Sequence, residues 1–194
     1  MDKRRLEAFS DGVIAIIITI MVLELRPPEA ARLAALRGML PELTSYVLSF
    51  VMLGIYWNNH HHLLHAVTRV SGGVLWANLH LLFWLTLIPF VTAWMGGSHF
   101  AASPVAAYGV VMIGAGCAYY VLVQVLLANH PADSTLAAAI GSDIKGKVSI
   151  LIYAAAIALA FLAPWAACAL YGLVAAMWLV PDRRIERVLA EGPK

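Results

Sequence analysis

The sequence predicts an all-α integral membrane protein whose six transmembrane helices form a single unit over residues 1–194. Of its residues, 62% are hydrophobic and 12% are charged, against about 45–50% and about 25% in soluble domains. The charged residues are confined to short segments between long apolar stretches. A chain of this length cannot bury so much apolar surface in its own core. We therefore expect a multi-pass protein surrounded by the lipid bilayer.

The first two spans are separated by prolines and charged residues. The first is expected at approximately residues 4–26, because an apolar run leads from Asp11 towards Pro27. The second is expected at approximately 43–68, where the only ionisable side chains besides Tyr46 and Tyr56 are histidines. Between them, residues 29–40 place apolar side chains among arginines. This pattern fits either an amphipathic helix on the membrane surface or a solvated connecting helix.

The other four spans follow from two uncharged stretches. Residues 70–132 contain no Asp, Glu, Lys or Arg, and their length exceeds twice the ~20 residues that one crossing needs. Gly96 and Gly97 supply a break in this stretch. Residues 148–181 are also uncharged, and Pro164 either divides them or kinks one long helix. With the division, the four spans lie at approximately 73–95, 104–128, 147–163 and 165–181.

The positions of Lys and Arg favour the count of six. With six spans and a cytoplasmic N-terminus, ten of the 13 Lys and Arg residues are inside and three are outside. Such an excess of basic residues marks the cytoplasmic side of membrane proteins. A single last helix kinked at Pro164 would place the basic segment 183–187 outside. We therefore predict a protein of the cell membrane with both termini in the cytoplasm.

A polar motif opens the first span. Arg5, Phe9, Ser10 and Asp11 form the pattern Arg-x-x-x-Phe-Ser-Asp at the start of an apolar helix. Polar and charged groups are costly in a bilayer and persist there mainly where they pair or serve a function. An unpaired Asp11 carboxylate would be expensive. The motif therefore predicts partners for Asp11 on neighbouring helices.

The same helix carries an apolar stripe. At about 100° per residue, its members fall on one face and Asp11 lies nearly opposite. Taken alone, such a stripe is ordinary for a helix that faces lipid or another helix. The stripe consists of Ile16, Thr19, Ile20 and Leu23.

The motif resembles that of the transmembrane protein 175 family, potassium channels of bacterial membranes and endolysosomes. Later motifs extend the resemblance over approximately residues 4–95. They are the pattern Trp-x-x-His-His that begins at Trp57, the pattern Trp-x-Asn-Leu that begins at Trp76, and Pro89-Phe90. The last three spans are similar to the family only in number and hydrophobicity.

The resemblance implies a homotetramer in which the four first helices surround a pore for potassium. Ile16 then forms the narrowest ring, Thr19 a hydroxyl ring, and Ile20 and Leu23 further apolar rings. Arg5, Phe9, Ser10 and Asp11 would be structural, and Trp57, His60, His61 and Asn78 would tie the first helix to its neighbours. The chain has no Thr-Val-Gly-Tyr-Gly filter and no acidic residue on the stripe. We therefore expect a modest preference for potassium over sodium, set by an apolar constriction and hydroxyl groups.

The histidines support an alternative. His61 and His65 are four residues apart on one helix, a spacing that can hold zinc or copper, with His62, His80 or a distant group as third ligand. A transporter of metal or small solutes is therefore the second hypothesis, and a membrane enzyme or structural partner is the third. No motif for catalysis is present, so we expect neither enzymatic activity nor a cofactor. The net charge of +2 gives no reason to expect a nucleic-acid partner.

Overall fold

Every regular element in the described part of the chain is helical. The computed structural model describes residues 3–67, 69–130 and 144–179. The predicted all-α class is therefore confirmed for these residues. The elements are α1 (Lys3–Leu23), a 3₁₀ helix (Leu33–Met39), α2 (Leu40–His65), α3 (Gly72–Thr86), α4 (Ile88–Gly97), α5 (Ala102–Ala128), α6 (Ile144–Ala160) and α7 (Pro164–Leu179).

Four helical segments are long and apolar enough to cross a membrane: Lys3–Leu23, Leu33–His65, Gly72–Gly97 and Ala102–Ala128. The two remaining helices are shorter, with 17 residues in α6 and 16 in α7. The count of six spans stays a prediction. Some positions on which the predicted spans and orientation depend lie outside the described residues. They are residue 68, residues 180–181 and the basic tail from Arg183.

Helix α1 ends at Leu23, three residues before the predicted end of the first span. Pro27 and Pro28 lack the amide hydrogen that a continuing helix needs, and each disfavours helical geometry in the residue before it. Part of segment 29–40 forms the 3₁₀ helix, in which no residue is buried within the chain. Pro41 then occupies the first turn of α2, where a missing amide hydrogen costs nothing.

The predicted third span consists of two helices. The chain turns at Leu87 between α3 and α4, and Pro89 at the start of α4 cannot donate a hydrogen bond back to α3. The predicted break after Gly97 is present, since His99 and Phe100 have positive φ angles of 54° and 60°. Their amides donate to Gly96 and Met95, which closes the end of α4.

The bundle is packed around α5. This helix contacts α3, α4, α6 and α7, whereas α1 packs on α2, α3 and α4. Gly114 of α5 lies directly against the ring of Trp84 in α3, as small residues at helix interfaces in membranes allow. Helices α6 and α7 pack against each other across the turn that precedes Pro164. In the structure, Pro164 therefore begins a separate helix and does not kink a longer one.

Candidate functional site

Helix α1 has two distinct faces. The face packed on the bundle consists of Leu6, Ser10, Ile14, Ile17 and Met21, at the spacing of one helical stripe. The predicted stripe lies on the opposite face. Its side chains are exposed in the single chain by 58% at Ile16, 42% at Ile20 and 77% at Leu23, and Thr19 is exposed as well.

The Thr19 hydroxyl is part of this exposed face. It donates a hydrogen bond of 2.9 Å to the carbonyl oxygen of Ile16 in its own helix. The hydroxyl oxygen retains lone pairs that can accept from water or coordinate a cation. Among the four stripe residues, Thr19 alone therefore brings a side-chain oxygen to the surface.

Asp11 binds the second helix. The indole Nε1 of Trp57 donates a hydrogen bond of 3.0 Å to Oδ1 of Asp11. The ring of Trp57 also stacks on His61, with centroids 5.8 Å apart and planes at 26°. A hydrogen bond to a carboxylate is stronger than one between neutral groups, so this contact fixes the orientation of α1 against α2.

A second, buried connection joins three helices. Ser10 of α1 accepts a hydrogen bond of 2.9 Å from Nδ2 of Asn78 in α3. Oδ1 of Asn78 lies 2.7 Å from Nε2 of His60 in α2. An amide oxygen can only accept, so in this arrangement Nε2 of His60 carries the proton. All three side chains are buried, where each unmade hydrogen bond would be costly.

The structure separates the polar residues that the sequence grouped around Asp11. Trp57 is the residue that bonds Asp11, whereas His60 and Asn78 bond each other and Ser10. His61 contacts the Trp57 ring and makes no hydrogen bond to α1 in the described residues. The physical reason is helix geometry: Ser10 and Asp11 are adjacent and point about 100° apart, so each meets a different neighbour.

The other two motif residues lie at the surface of the single chain. Phe9 is exposed, and Arg5 is exposed with no hydrogen bond or ion pair among the described residues. A hydrogen bond or ion pair of Arg5 therefore requires a partner outside the described residues.

Two connections were missed from the sequence. Lys3 donates to the carbonyl oxygen of His65 at 3.0 Å and lies 3.6 Å from Glu7, which ties the start of α1 to the end of α2. Thr92 of α4 donates to Ser49 of α2, and Ser49 lies 3.2 Å from the Tyr108 hydroxyl of α5. Hydroxyl residues in otherwise apolar spans were the available signal.

The described residues bring no third ligand to His61 and His65. The rings of His61 and His65 are 6.4 Å apart, and His62 is the third ring nearby. No group of three or more His, Cys, Asp or Glu side chains in the described residues is placed to hold a metal ion. His80 accepts a hydrogen bond from Trp84 on its own helix at 3.1 Å. The third ligand that a site at His61 and His65 needs is therefore not supplied there.

A groove runs between the stripe and the α3–α4 turn. Its volume is about 450 Å³. Ile16 and Ile20 form one wall, and Pro89 and Phe90 form the other. The Pro-Phe pair of the sequence motif thus lies directly beside the predicted pore residues. Most of the lining is apolar, and Thr86 and Glu24 add polar side chains to it.

Comparison with known proteins identifies the family. Residues 5–89 match the family described as the endosomal/lysosomal potassium channel TMEM175. A protein named as a potassium channel from Chryseobacterium sp. (strain P1-3) is 53% identical over 191 residues, which cover 98% of this chain and 100% of that relative. The chain belongs to the TMEM175 family. The resemblance predicted from the Arg5 to Asp11 motif is therefore confirmed.

Other TMEM175 relatives extend over most of the chain. A protein named as a potassium channel from Streptomyces collinus is 34% identical over 188 residues, 90% of each chain. A crystal structure titled as a lysosomal potassium-selective channel TMEM175 homolog from Chamaesiphon minutus superposes with a TM-score of 0.78 and 24% identity. The superposed region covers 92% of this chain and 96% of the Chamaesiphon minutus chain, which shows a common fold. The chain is thus a multi-pass membrane protein of an ion-channel family.

Proposed function

We propose that this protein is a potassium-selective channel with a modest preference for potassium over sodium. Four six-helix chains assemble around a pore lined by their first helices. The observation that carries the proposal is the exposed stripe of α1, which combines Ile16, Ile20 and Leu23 with the hydroxyl of Thr19. Two relatives named as potassium channels over 90% or more of their lengths support the choice of ion.

The assembly follows from the position of the stripe. One chain supplies one α1, and the stripe of that helix is exposed in the single chain. A path lined by this stripe therefore needs several copies of α1 facing a common axis. Closed cyclic symmetry is the usual arrangement for identical subunits. Four copies match the family arrangement that the motif implies.

Selectivity comes from the chemistry of the stripe. A ring of Ile16 side chains forms a narrow apolar constriction that disfavours water, and a ring of Thr19 hydroxyls replaces part of the hydration shell of an ion. A ring of Thr19 hydroxyls offers an ion fewer coordinating oxygens than a cage of backbone carbonyls does. The preference for potassium is accordingly modest.

The polar contacts of the motif set the rotation of the pore helix. Asp11 binds Trp57, and Ser10 joins the buried pair of Asn78 and His60. These contacts hold one face of α1 against its own chain, so that Ile16 on the opposite face is presented to the axis. The motif thus acts on permeation through positioning.

The orientation belongs to the same proposal. Both termini lie in the cytoplasm and the channel resides in the cell membrane, as the distribution of Lys and Arg favours. The end of the bundle that carries Lys3, Arg69 and Lys145 is then the cytoplasmic end.

The deciding experiment is ion flux in liposomes that contain only the purified protein. We expect larger flux down a potassium gradient than down an equal sodium gradient, and none in protein-free liposomes. The molar mass of the purified protein, measured by light scattering, should correspond to four chains. Equal flux of both ions would contradict selectivity, and a stable monomer that conducts would contradict the pore of four first helices.

A further inference from the structure

A crevice far from α1 combines features of a lipid-binding site. It lies between α2, α5, α6 and α7 and has a volume of about 80 Å³. At about 30 Å³ per water molecule, this is room for two or three waters, or for one small anionic group. Tyr56, Tyr119, Ser149, Lys147 and Trp178 are among the residues that line it.

A basic side chain lies at the edge of the crevice. Lys147 is exposed at its edge, and no carboxylate of the described residues lies within salt-bridge distance of it. Lys145 precedes Lys147 by two residues on α6. Its Nζ lies 5.9 Å from the centroid of the Trp178 ring, within the range of a cation–π contact. The exposed positive charge of Lys147 therefore favours an anion at this edge of the crevice.

The crevice also offers hydrogen bonds. The Tyr56 hydroxyl lies beside Gly116, about 4 Å from where a Cβ atom of an alanine there would be. It makes no hydrogen bond within the described residues. The indole of Trp178 donates to Ser149 at 2.9 Å, and Ser149 donates to the carbonyl oxygen of Lys145 at 2.8 Å. These contacts hold the side chains of the crevice wall in place. The Tyr56 hydroxyl is not used by them and can donate a hydrogen bond into the crevice.

Its depth matches that of lipid headgroups. Lys145 and Lys147 directly precede the uncharged run of α6, and Trp178 lies in the last turn of α7. Lysines and aromatic side chains at the ends of apolar helices mark the interface between membrane and water. Basic pockets between membrane helices bind anionic lipid headgroups.

We propose that this crevice binds the phosphodiester group of an anionic phospholipid, such as phosphatidylglycerol, with Lys147 as the main charge contact and Tyr56 as a hydrogen-bond donor. The acyl chains extend along the neighbouring apolar surface, where Leu151 of α6 is exposed. Helices α6 and α7 form no extensive contact with α1. The site therefore lies on the lipid-facing side, away from the proposed pore helix.

Native mass spectrometry of the full-length protein with equal amounts of phosphatidylglycerol and phosphatidylcholine tests the proposal. We expect the wild-type protein to retain phosphatidylglycerol preferentially. A basic residue near the membrane surface is worth about 1 kcal/mol, so Lys147→Gln should reduce retention about fivefold. Tyr56→Phe, which removes only the hydroxyl, should reduce it by a smaller factor. The readout is bound mass, so it does not depend on whether the protein conducts potassium.

The matched control is Arg69→Gln, which removes one exposed positive charge at the same end of the bundle but outside the crevice. It should bind phosphatidylglycerol like the wild-type protein. Unchanged retention in Lys147→Gln, or an equal loss in Arg69→Gln, would overturn the proposal. So would displacement of the lipid by glycerol 1-phosphate at equal concentration, because the crevice would then be a site for small soluble anions.

Discussion

Trp57 of α2 donates its indole hydrogen to Asp11 of α1 at 3.0 Å. The two residues are 46 positions apart in the chain and connect two helices at the level where the apolar part of α1 begins. Asp11 is only half-buried, so water or headgroups can reach part of the carboxylate. The contact is therefore a positioning device for α1, and its loss should affect assembly before it affects the pore.

Asp11→Ala should lower the thermal stability and the tetramer yield without shifting the ratio of potassium to sodium permeability. Side-chain hydrogen bonds between membrane helices are worth about 0.6–1.7 kcal/mol. Size-exclusion chromatography after heating measures the stability. Asp11→Asn, which keeps an acceptor oxygen, should lose less. A well-assembled Asp11→Ala protein that differs from the wild-type protein only in ion preference would disprove this role.

Asn78→Ala should destabilise the protein more than Asp11→Ala does, because the change leaves Nε2 of His60 without a partner in a buried site. An unsatisfied buried group costs about 1–3 kcal/mol. The same chromatographic assay applies. Asn58→Ala is the control, since Asn58 is exposed on α2. Similar melting temperatures for the two variants would show that the Ser10–Asn78–His60 network contributes little.

Gly114→Ala should weaken the contact between α3 and α5. A Cβ at this position overlaps the ring of Trp84, and overpacking of a core typically costs about 1–3 kcal/mol. Gly172→Ala in α7 is the matched control, because a Cβ there meets nothing within 4 Å. We expect Gly172→Ala to keep or slightly raise the melting temperature. A Gly114→Ala protein as stable as this control would mean that Trp84 moves aside freely.

Much of the fold was predictable because charges and prolines punctuate the sequence. Pro27, Pro164 and the glycines after Met95 fall where the helices end or begin. The turn at Leu87 was missed, since the surrounding sequence is uniformly apolar and Pro89 resembles a tolerated proline within a membrane helix. The position of this turn is therefore known only from the three-dimensional structure.

The site was predictable in composition but not in pairing. The period of α1 placed Ile16 and Asp11 on different faces, because that placement depends only on the rotation per residue of one helix. The assignment of Trp57 to Asp11, and of Asn78 to Ser10, depends on how three helices are rotated against each other. That information lies in their packing, which no short motif contains.

Cysteine labelling should report both termini in the cytoplasm. In a background without Cys117 and Cys168, single cysteines at positions 35 and 97 should react with an impermeant reagent added to intact cells. A cysteine at position 190 should react only after the membrane is opened. This pattern follows from the ten-to-three division of Lys and Arg. Labelling of position 190 in intact cells would refute the proposed orientation.

Ile16→Ala should raise conductance and reduce the ratio of potassium to sodium permeability, since four smaller side chains leave a wider and wetter constriction. The reversal potential under mixed ionic conditions gives this ratio independently of how much protein inserts. Thr19→Val, which removes only the hydroxyl, should reduce the ratio with a smaller change in conductance.

Ile14→Ala is the control for this series. Ile14 is 1% exposed and packs into the chain, about 160° around the helix from Ile16. Its truncation creates a cavity at a typical cost of 2–5 kcal/mol, so the yield should fall while the permeability ratio of the surviving channels stays at the wild-type value. If Ile14→Ala changes ion preference and Ile16→Ala does not, the face of α1 that contains Ile14 lines the pore. The packing of α1 in the assembled channel would then differ from that in the single chain.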